Sequence, residues 1–547
     1  MTTRQTIRQP ISRRDALRHG AATSLAALLA ACGSGTPRAT GVPAQGAGGG
    51  ATPATPATSA SGPTTASGSV VTGSARTPAA NAIAIPATGA KLPTDKITDH
   101  WMDSANEKKV FLDLFLPTYR QAHPNITFDY LGLPYTEMAK ALPAGIQNGN
   151  APDLFEVPPP LMAAQVVQQG WVQPLDDVVP DFARWEAAFP PGVFFEDINM
   201  FQSKTYTFPF TSTKQNNALL LYNAEYMKRA GVDPQTKPLT WDEFRATAKK
   251  ITQQGTDKYY GVMLSGAQAD RMGATIRSLA EMAGAAGGEI NWKTGEYQYT
   301  ADQFLAAIDL LLALKADGSV FPGSAAANAP QAVSQFAQNA AGMYINGSYM
   351  FQQWRTQNPT FAWDVASQPV PNTGSVGFIT YNPGGQTWWV SAKSKWAAIA
   401  GDIFSYVGSE AGQAVAQTII GGSKSSVFAQ ANQAPGIDPL ARKAVALYDR
   451  QMRLAPSPSV RNPDAGKVTA EIRPLTPDFG TTIQGIYTGQ LSDPRKAMQD
   501  LKNRADKELD RAIKAAQAKG AKVSRDDWTF PNWVPMKDYT DADYAAI

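Results

Sequence analysis

The residues best suited to holding a small molecule lie between Pro369 and Lys395. Adjacent glycines, Gly384 and Gly385, are followed by an indole ring at Trp388. Glycine lets a ligand approach the backbone closely because it has no Cβ, and an aromatic plane offers an apolar face for stacking. These residue types predict non-covalent binding. The competing interpretation is a tight turn that carries core tryptophans.

Carboxylate pairs offer a second kind of chemistry, the hydrolysis of glycosidic bonds. The candidate pairs are Asp176 with Asp177 and Glu196 with Asp197. Sequence neighbours do not face each other on a strand or helix, whereas a glycosidase needs two carboxyl groups about 5–9.5 Å apart across one bond. The sequence therefore gives little support to a hydrolase.

The sequence has few residues that could form other catalytic or metal-binding sites. A Ser-His-Asp arrangement would rest on His100, because His123 precedes a proline in a turn. The run Gly421–Ser425 lacks the Gly-Lys-Ser/Thr order of a phosphate loop. One cysteine and dispersed histidines provide no metal-ligand set. We predict a protein that is not an enzyme and has neither a cofactor nor a metal site.

The first 32 residues have the composition of an export signal. Arg13 and Arg14 close a basic region, an Ala/Leu run follows, and Leu29–Cys32 ends it with small residues before the only cysteine. This pattern predicts a signal peptide over 1–31, with an apolar run too short to span a bilayer. The arginine pair resembles the twin-arginine signal, although Ala16 departs from it, so the general secretory route stays open. Leu29–Cys32 resembles the lipobox of bacterial lipoproteins, which implies acylation of Cys32.

The segment after Cys32 has the composition of a tether. Of the 58 residues from Gly33 to Ala90, 49 are Gly, Ala, Ser, Thr or Pro. Such a segment buries too little apolar area to offset its ordering entropy, so we predict a disordered linker over 32–92. A coil of this length would span about 40 Å.

The rest of the chain, out of 547 residues, alternates between strand and helix patterns. The net charge of +3 comes largely from the arginines of the leader, so the remainder is near neutral, which argues against a nucleic-acid surface. Strand–helix alternation predicts a mostly parallel sheet, in which ligands bind beyond the carboxyl ends of the strands. The candidate ligand contacts at those ends are Trp101, Asp103 and Glu156.

Local signals mark several element ends. Capping-box patterns at Thr240 with Glu243 and at Thr300 with Gln303 predict helix starts. A strand is predicted over Met343–Tyr349, and a long helix follows Pro494. The aromatic residues after Lys519 predict a tail docked on the surface.

Several motifs occur together in one order. They are Ala151–Leu154, Gly170–Leu175, Leu221–Asn223, Leu239–Phe244, Gly342–Tyr349, Pro369–Pro371 and Gly384–Gly385 with Ser391–Ser394. In this order they resemble family 1 of the bacterial extracellular solute-binding proteins, the group that serves ABC importers and includes sugar-binding proteins. The resemblance covers roughly 95–513 and leaves residues 257–330 and the tail without close counterparts.

The resemblance implies an α/β fold of the type II periplasmic-binding-protein class. Two lobes joined by hinge segments would hold the ligand in the cleft between them. We expect an N-lobe from 93–210 and 372–420, and a C-lobe from 211–371 and 421–547. The chain would cross between lobes near Phe208–Thr213, Pro369–Pro371 and Ile420–Ser423.

The resemblance also implies site residues. Tyr349 stands where the family commonly has a stacking Trp, and Trp388 with Gly384 and Gly385 would line the N-lobe. Asn216 falls in the first hinge loop, and Phe479 falls near a further aromatic contact.

We therefore predict a lipoprotein that captures a carbohydrate, an oligosaccharide in particular, and delivers it to the permease of an ABC transporter. The alternatives are a polyol or glycerol-phosphate binder and a secreted glycoside hydrolase. The protein would be monomeric, would bind no nucleic acid, and would be anchored to the outer face of the cytoplasmic membrane by lipidated Cys32.

Overall fold

The computed structural model describes residues 83–104, 107–158, 161–215, 218–285, 287–358, 360–374 and 377–547. The predicted signal peptide, Cys32, most of the predicted linker and Asn216 lie outside these ranges. Among the helices of the described ranges, none combines the length and the apolar character needed to cross a membrane.

The strands are short, and most belong to two sheets. They are β1 (Ile97–Asp103), β2 (Ile126–Gly132), β3 (Leu154–Phe155), β4 (Val172–Gln173), β5 (Met200–Phe201), β6 (Lys204–Thr205), β7 (Leu219–Asn223), β8 (Tyr260–Val262), β9 (Ile290–Asn291), β10 (Glu296–Tyr297), β11 (Ala341–Asn346), β12 (Trp363–Ser367), β13 (Ile379–Tyr381), β14 (Trp389–Ser391) and β15 (Met452–Leu454).

The helices pack around these sheets. They are α1 (Glu107–Ala122), α2 (Tyr135–Asn148), α3 (Ala163–Gln168), α4 (Phe182–Ala187), α5 (Ala224–Ala230), α6 (Trp241–Gly255), α7 (Ala269–Met282), α8 (Asp302–Ala316), α9 (Ala329–Ala337), α10 (Phe351–Gln357), α11 (Ala397–Val407), α12 (Glu410–Ile419), α13 (Pro439–Gln451), α14 (Pro458–Arg461), α15 (Ala465–Glu471), α16 (Phe479–Thr488), α17 (Pro494–Ala518) and α18 (Asp541–Tyr544).

The first lobe is built on the sheet β2-β1-β3-β14-β4. β1 pairs in parallel with β2 and with β3, whereas β14 runs antiparallel to β3 and β4. The carboxyl ends of β1, β2, β3 and β4 therefore lie at one edge, as the strand–helix alternation predicts. A core rich in aromatic side chains covers the sheet, including Phe111, Phe115, Phe208 and Trp388.

The second lobe is built on the sheet β12-β7-β11-β8. β7 is antiparallel to β11 and β12, and β11 is parallel to β8. All five residues of β7 are buried. The sequence of such a strand is a continuous apolar run because both of its faces are covered by other elements.

Two of the three segments where the chain crosses between the lobes lie later in the sequence than predicted. Val370 lies inside the second lobe, where its backbone bonds to Leu239 and Trp241 on either side, so the prolines around it mark an internal turn. Ile379 still packs in the second core, and the chain reaches the first core by Trp388.

The last crossing also falls later than predicted. Phe428 and Ala431, expected in the C-lobe, pack in the core of the first lobe, and Ile437 is the next residue in the second core. Phe210 belongs to the first core and Ala218 to the second, so the chain first passes from one core to the other between these two residues.

The end of the predicted linker is ordered, which corrects the prediction of disorder up to residue 92. Ile83 is buried in the first core, with Ile85 and Leu92 packed against it. The hydroxyl of Thr88 donates to Asp402. Two isoleucines in an otherwise small-residue segment supply the apolar area that the residues before them lack.

The local signals had mixed outcomes. The capping box at Thr240 and Glu243 is confirmed. The one at Thr300 and Gln303 is wrong, because α8 starts after Ala301 without a side-chain cap. The docked aromatic tail is confirmed: Trp528, Phe530, Trp533 and Tyr539 are buried.

Asp99 carries a prediction about stability and pH. Its side chain is 1% exposed, and among the described residues neither carboxylate oxygen has a hydrogen-bond partner. Burial, with the charge of Asp153 as a smaller cause, raises the pKa of Asp99 well above its usual value. A carboxyl whose pKa is raised by folding destabilises the fold increasingly as the pH rises above its unfolded pKa.

We expect Asp99→Asn to stabilise the protein by about 1–3 kcal/mol at pH 8, since its side chain cannot ionise. Near pH 4, where Asp99 is protonated in the folded protein and about half protonated in the unfolded chain, the two proteins should differ by only about 0.5 kcal/mol. Urea unfolding at both pH values measures this, with exposed Asp129→Asn as the control. An unchanged stability difference between pH 4 and pH 8 would contradict the prediction.

Candidate functional site

Two carboxylates and one ammonium group are buried together at the carboxyl edge of the first sheet. Asp103 ends β1, and Glu156 follows β3. Nζ of Lys108 lies 2.5 Å from Oε1 of Glu156 and 3.9 Å from Oδ1 of Asp103. The backbone N–H of Ser104 donates to Oε2 of Glu156 at 2.7 Å. The structure brings these two predicted site residues together around a lysine, and their contact with a solute stays a prediction.

The predicted stacking residue Trp388 lies inside the first core, beside Trp101. Their rings meet edge to face with centroids 5.1 Å apart, and both are buried. Nε1 of Trp388 donates to Oδ2 of Asp103 at 2.6 Å. Phe210 and Phe404 lie with ring centroids 5.1 and 6.4 Å away from that of Trp388. The structure thus encloses both indoles in the core rather than presenting them at a surface.

Gly384 and Gly385 allow close packing of backbone against the first lobe. Their φ angles are +75° and +151°, and a Cβ on Gly384 would lie 2.8 Å from Cγ2 of Ile198. A Cβ on Gly385 would lie 2.7 Å from Cβ of Pro209. These contacts explain the glycines without a ligand.

Tyr349 and Arg271 meet at the carboxyl edge of the second sheet. Tyr349 follows β11, and Arg271 lies in the first turn of α7, which follows the parallel strand β8. The guanidinium carbon of Arg271 lies 5.0 Å from the centroid of the Tyr349 ring. The Tyr349 hydroxyl bonds to Oδ1 of Asn346. A half-buried ring is thereby fixed in orientation, as stacking on a ligand requires.

A cavity of about 530 Å³ opens beside this edge, between α7 and the segment that precedes α16. Phe479 lines it and stacks on Tyr299, with centroids 5.1 Å apart. Only 8% of Phe479 is exposed, because most of its ring belongs to the second core. The charged residues of the cavity wall are Asp270, Arg271, Arg277, Glu289, Arg473, Asp478 and Glu508.

Part of that wall is a fixed hydrogen-bond network. Arg277 donates to Oε1 of Glu289 at 3.0 Å, and the Tyr299 hydroxyl donates to Oε2 at 2.5 Å. Burial and the neighbouring Glu289 raise the pKa of Tyr299 well above its usual value, so the hydroxyl stays a donor at neutral pH. The cavity combines an aromatic edge with both donors and acceptors.

Two residues near the carboxyl edges of the two sheets were not predicted from the sequence. Arg271 carries no local motif, and its place in the first turn of a helix that follows a strand was the only available signal. Tyr135, 42% exposed, starts α2 just beyond β2, at the carboxyl edge of the first sheet. An exposed aromatic after a predicted strand could have identified it.

Comparison with protein families gives one match. The model described as bacterial extracellular solute-binding protein matches residues 103–414. The match begins at the last residue of β1 and includes all the other strands of the two main sheets.

Two curated sequences, among others, are related over part of their length. A Brucella abortus (strain 2308) protein, named only as a binding protein, is 26% identical over 262 residues, which are 47% of this chain and 59% of that one. The sn-glycerol-3-phosphate-binding periplasmic protein of Yersinia pestis bv. Antiqua (strain Antiqua) is 27% identical over 168 residues, 29% of this chain and 36% of that one. This chain therefore spans under two thirds of the length of either.

Two solved structures share the fold. An ABC transporter solute-binding protein from Thermotoga lettingae, bound with α-D-tagatose, has a TM-score of 0.60 at 18% identity, covering 76% of this chain and 100% of that one. The GacH receptor of Streptomyces glaucescens, solved unliganded and with acarbose, has a TM-score of 0.58 at 18% identity, covering 75% and 98%. At this identity the likeness establishes the two-lobed fold alone.

Proposed function

This chain belongs to the bacterial extracellular solute-binding protein family, and from that premise we propose that it captures a carbohydrate between its lobes for delivery to the permease of an ABC importer. The resemblance inferred from the motifs is thereby confirmed. The family consists of binding proteins for transport rather than enzymes, and it is exported.

The contact between Arg271 and Tyr349 is the observation that carries the carbohydrate proposal. A sugar has an apolar face, which an aromatic ring covers, and a rim of hydroxyls, which carboxylates, amides and guanidinium groups bind. The half-buried Tyr349 and the cavity wall with Asp270 and Asp478 supply both kinds of contact. The structural relatives bound with tagatose and acarbose support the same class of solute.

A phosphorylated polyol is the second candidate. Arg271, Arg277 and Arg473 all line the cavity, and guanidinium groups bind phosphate in a bidentate manner. The partial match to the glycerol-3-phosphate-binding protein of Yersinia pestis supports this candidate. Against it, Arg277 is paired with Glu289, and Asp270, Asp478 and Glu508 add negative charge to the same wall.

The cellular setting is proposed from the sequence. A signal peptide ending before Cys32, acylation of that cysteine and a flexible tether would keep a monomeric binding protein at the outer face of the membrane. Radiolabelled palmitate incorporation into the wild-type chain, but not into Cys32→Ser, would test the anchor.

The test of the function is a ligand panel on the full chain. Thermal unfolding and tryptophan fluorescence are followed with oligosaccharides, monosaccharides, polyols and glycerol phosphates. A ligand at 100 times its Kd should add about 2.7 kcal/mol of stability. Stabilisation by a sugar without turnover supports the proposal, stabilisation confined to phosphorylated polyols supports the second candidate, and hydrolysis of an oligosaccharide overturns the assignment to transport.

Tyr349→Ala should weaken binding of the solute found in this panel about tenfold, since a stacked ring contributes about 0.5–1.5 kcal/mol beyond the area it buries. Tyr349→Phe keeps the ring and serves as the matched control, with an affinity within about threefold of wild type. Isothermal titration calorimetry measures both. Equal affinity for Tyr349→Ala and wild type would remove Tyr349 from the site.

A further inference from the structure

The two lobes touch at a second place, far along the chain from the crossings. Nε2 of Gln165, in α3 of the first lobe, donates to the backbone carbonyl of Ala470, in α15, at 2.7 Å. Gly466, near the start of α15, packs directly against the carboxylate of Asp197, just before the β5–β6 hairpin of the first lobe, and Ser459 of α14 also faces that carboxylate.

The glycine makes this contact close. A Cβ on Gly466 would lie 1.8 Å from Cγ and Oδ1 of Asp197, so no other residue fits there without a displacement. Asp197 holds a positive φ of 61°, a conformation that is uncommon for a residue other than glycine. The contact therefore depends on the missing side chain of Gly466 and on the unusual backbone conformation of Asp197.

The contact lies on the side of the molecule where the sheets end. α3 follows the carboxyl end of β3, and the backbone N–H of Thr205 in β6 donates to Asp176, just after β4. On the other side, α15 leads directly into Ile472–Leu475, which line the cavity beside Phe479. Gln165 and Asp197 thus meet α15 next to the candidate site.

The second lobe holds α15 firmly. Ala465 and Val468 are buried against Leu509 and Ala512 of α17. Earlier residues of α17, including Leu501, pack in the main core of the second lobe. Movement of the lobes apart would therefore carry α15 away from Gln165 and Asp197 rather than peel it from α17.

We propose that α14 and α15 form a latch, which reaches from the second lobe to Asp197 and Gln165 and holds the lobes closed beside the site. The role of closure in solute capture rests on the proposed function. The contact itself does not, because it joins the lobes through protein groups alone.

The latch makes closure depend on pH. Burial, with the neighbouring Glu196 as a smaller cause, raises the pKa of Asp197 to about 7, against a usual value of 3.8, although Gly466 and Ser459 lower it in part. In separated lobes the carboxyl would be in water and near its usual value. Between these values the closed form binds a proton that the open form does not, so acidification favours closure. The ratio of closed to open forms should rise on the order of a hundredfold from pH 8 to pH 5.

Few other charged groups face Asp197. Glu196 accepts hydrogen bonds from the backbone N–H groups of Gln202 and Ser203. Asp464, at the start of α15, has its pKa lowered by hydrogen bonds from the Lys467 ammonium and the backbone of Lys522. Arg461 of α14 donates to backbone carbonyls of the tail. The pKa of Asp464 is moved away from neutral pH, which leaves Asp197 as the group expected to titrate there.

The experiment measures the distance between the lobes with no solute added. The full chain with Cys32→Ser carries spin labels at exposed Gln169→Cys, after α3, and Lys514→Cys, on α17, and pulsed electron paramagnetic resonance gives the distance distribution. Gly466→Ala is the central variant. Alanine is a better helix former than glycine, so α15 itself should not weaken while its contact with Asp197 is displaced. Lys467→Arg, on the solvent side of α15, keeps the positive charge beside Asp464 and is the matched control.

We expect a larger population at short distance at pH 5 than at pH 8 in the labelled parent and in Lys467→Arg. Gly466→Ala should shift to longer distances at both pH values, and Asp197→Asn should lose the pH dependence. Equal distributions for Gly466→Ala and Lys467→Arg would overturn the latch, and a pH response that survives in Asp197→Asn would overturn its linkage to pH. If the ligand panel finds no solute, these outcomes are still readable, so failure of the proposed function and failure of the latch are distinguishable.

Discussion

Replacing Lys108 by Met is expected to destabilise the protein by about 3–5 kcal/mol, the cost of removing one partner from a buried ion pair. Lys108 is 5% exposed, and Asp103 and Glu156, at 0% and 6%, lose the only ammonium group within 4.0 Å that the described residues give them. Urea unfolding of wild type and variant at pH 7.5 measures the loss.

The neighbouring lysine gives a matched control. Lys109 forms an exposed i,i+4 pair with Asp113, with side chains 43% and 59% exposed. Such pairs are worth about 0.3–0.5 kcal/mol, so Lys109→Met should unfold almost like wild type. Equal losses for the two methionine variants would show that the buried cluster does not stabilise the first lobe.

Replacing Trp388 by Ala should cost about 3–5 kcal/mol of stability, the usual range for removing a large aromatic side chain from a core. Trp388→Phe keeps much of the volume but leaves Oδ2 of Asp103 without the indole N–H, which should cost about 1–3 kcal/mol. Trp396→Phe, at a partly buried position, is the control and should stay near wild type.

The same variants decide between the two interpretations of Trp388. Since the indole is fully buried, the folded fraction of Trp388→Phe should bind the solute within about threefold of wild type. Thermal unfolding and calorimetry on the same samples separate stability from affinity. A variant with wild-type stability and lost affinity would restore the stacking role that the residue type suggested.

Several features followed from local sequence because short-range interactions decide them. The capping box at Thr240 and Glu243 closes within one helical turn, and the period-two pattern around Phe128 defines a strand without reference to the rest of the chain. Even locally the rules compete. Thr300 and Gln303 have the same spacing as the first pair, yet Ala301 occupies the start of α8.

The crossings show where local signals were insufficient. Prolines at 369 and 371 mark a break in the chain, but a break has the same appearance within a lobe and between lobes. Only the pairing of Val370 with Leu239 and Trp241, more than a hundred residues earlier, places this turn inside the second lobe.

By itself the sequence determined the family, the alternation of strands and helices, and several helix ends, because these depend on neighbours and on periodicity. Tertiary structure alone decided the environment of each side chain. It enclosed Trp388 with Asp103, which lies 285 residues away, and it joined Arg271 to Tyr349 through the parallel pairing of β8 and β11. The physical reason is that an aromatic or charged residue stacks on a ligand, packs in a core or joins two lobes according to which distant segments cover it, and coverage is a property of the whole fold.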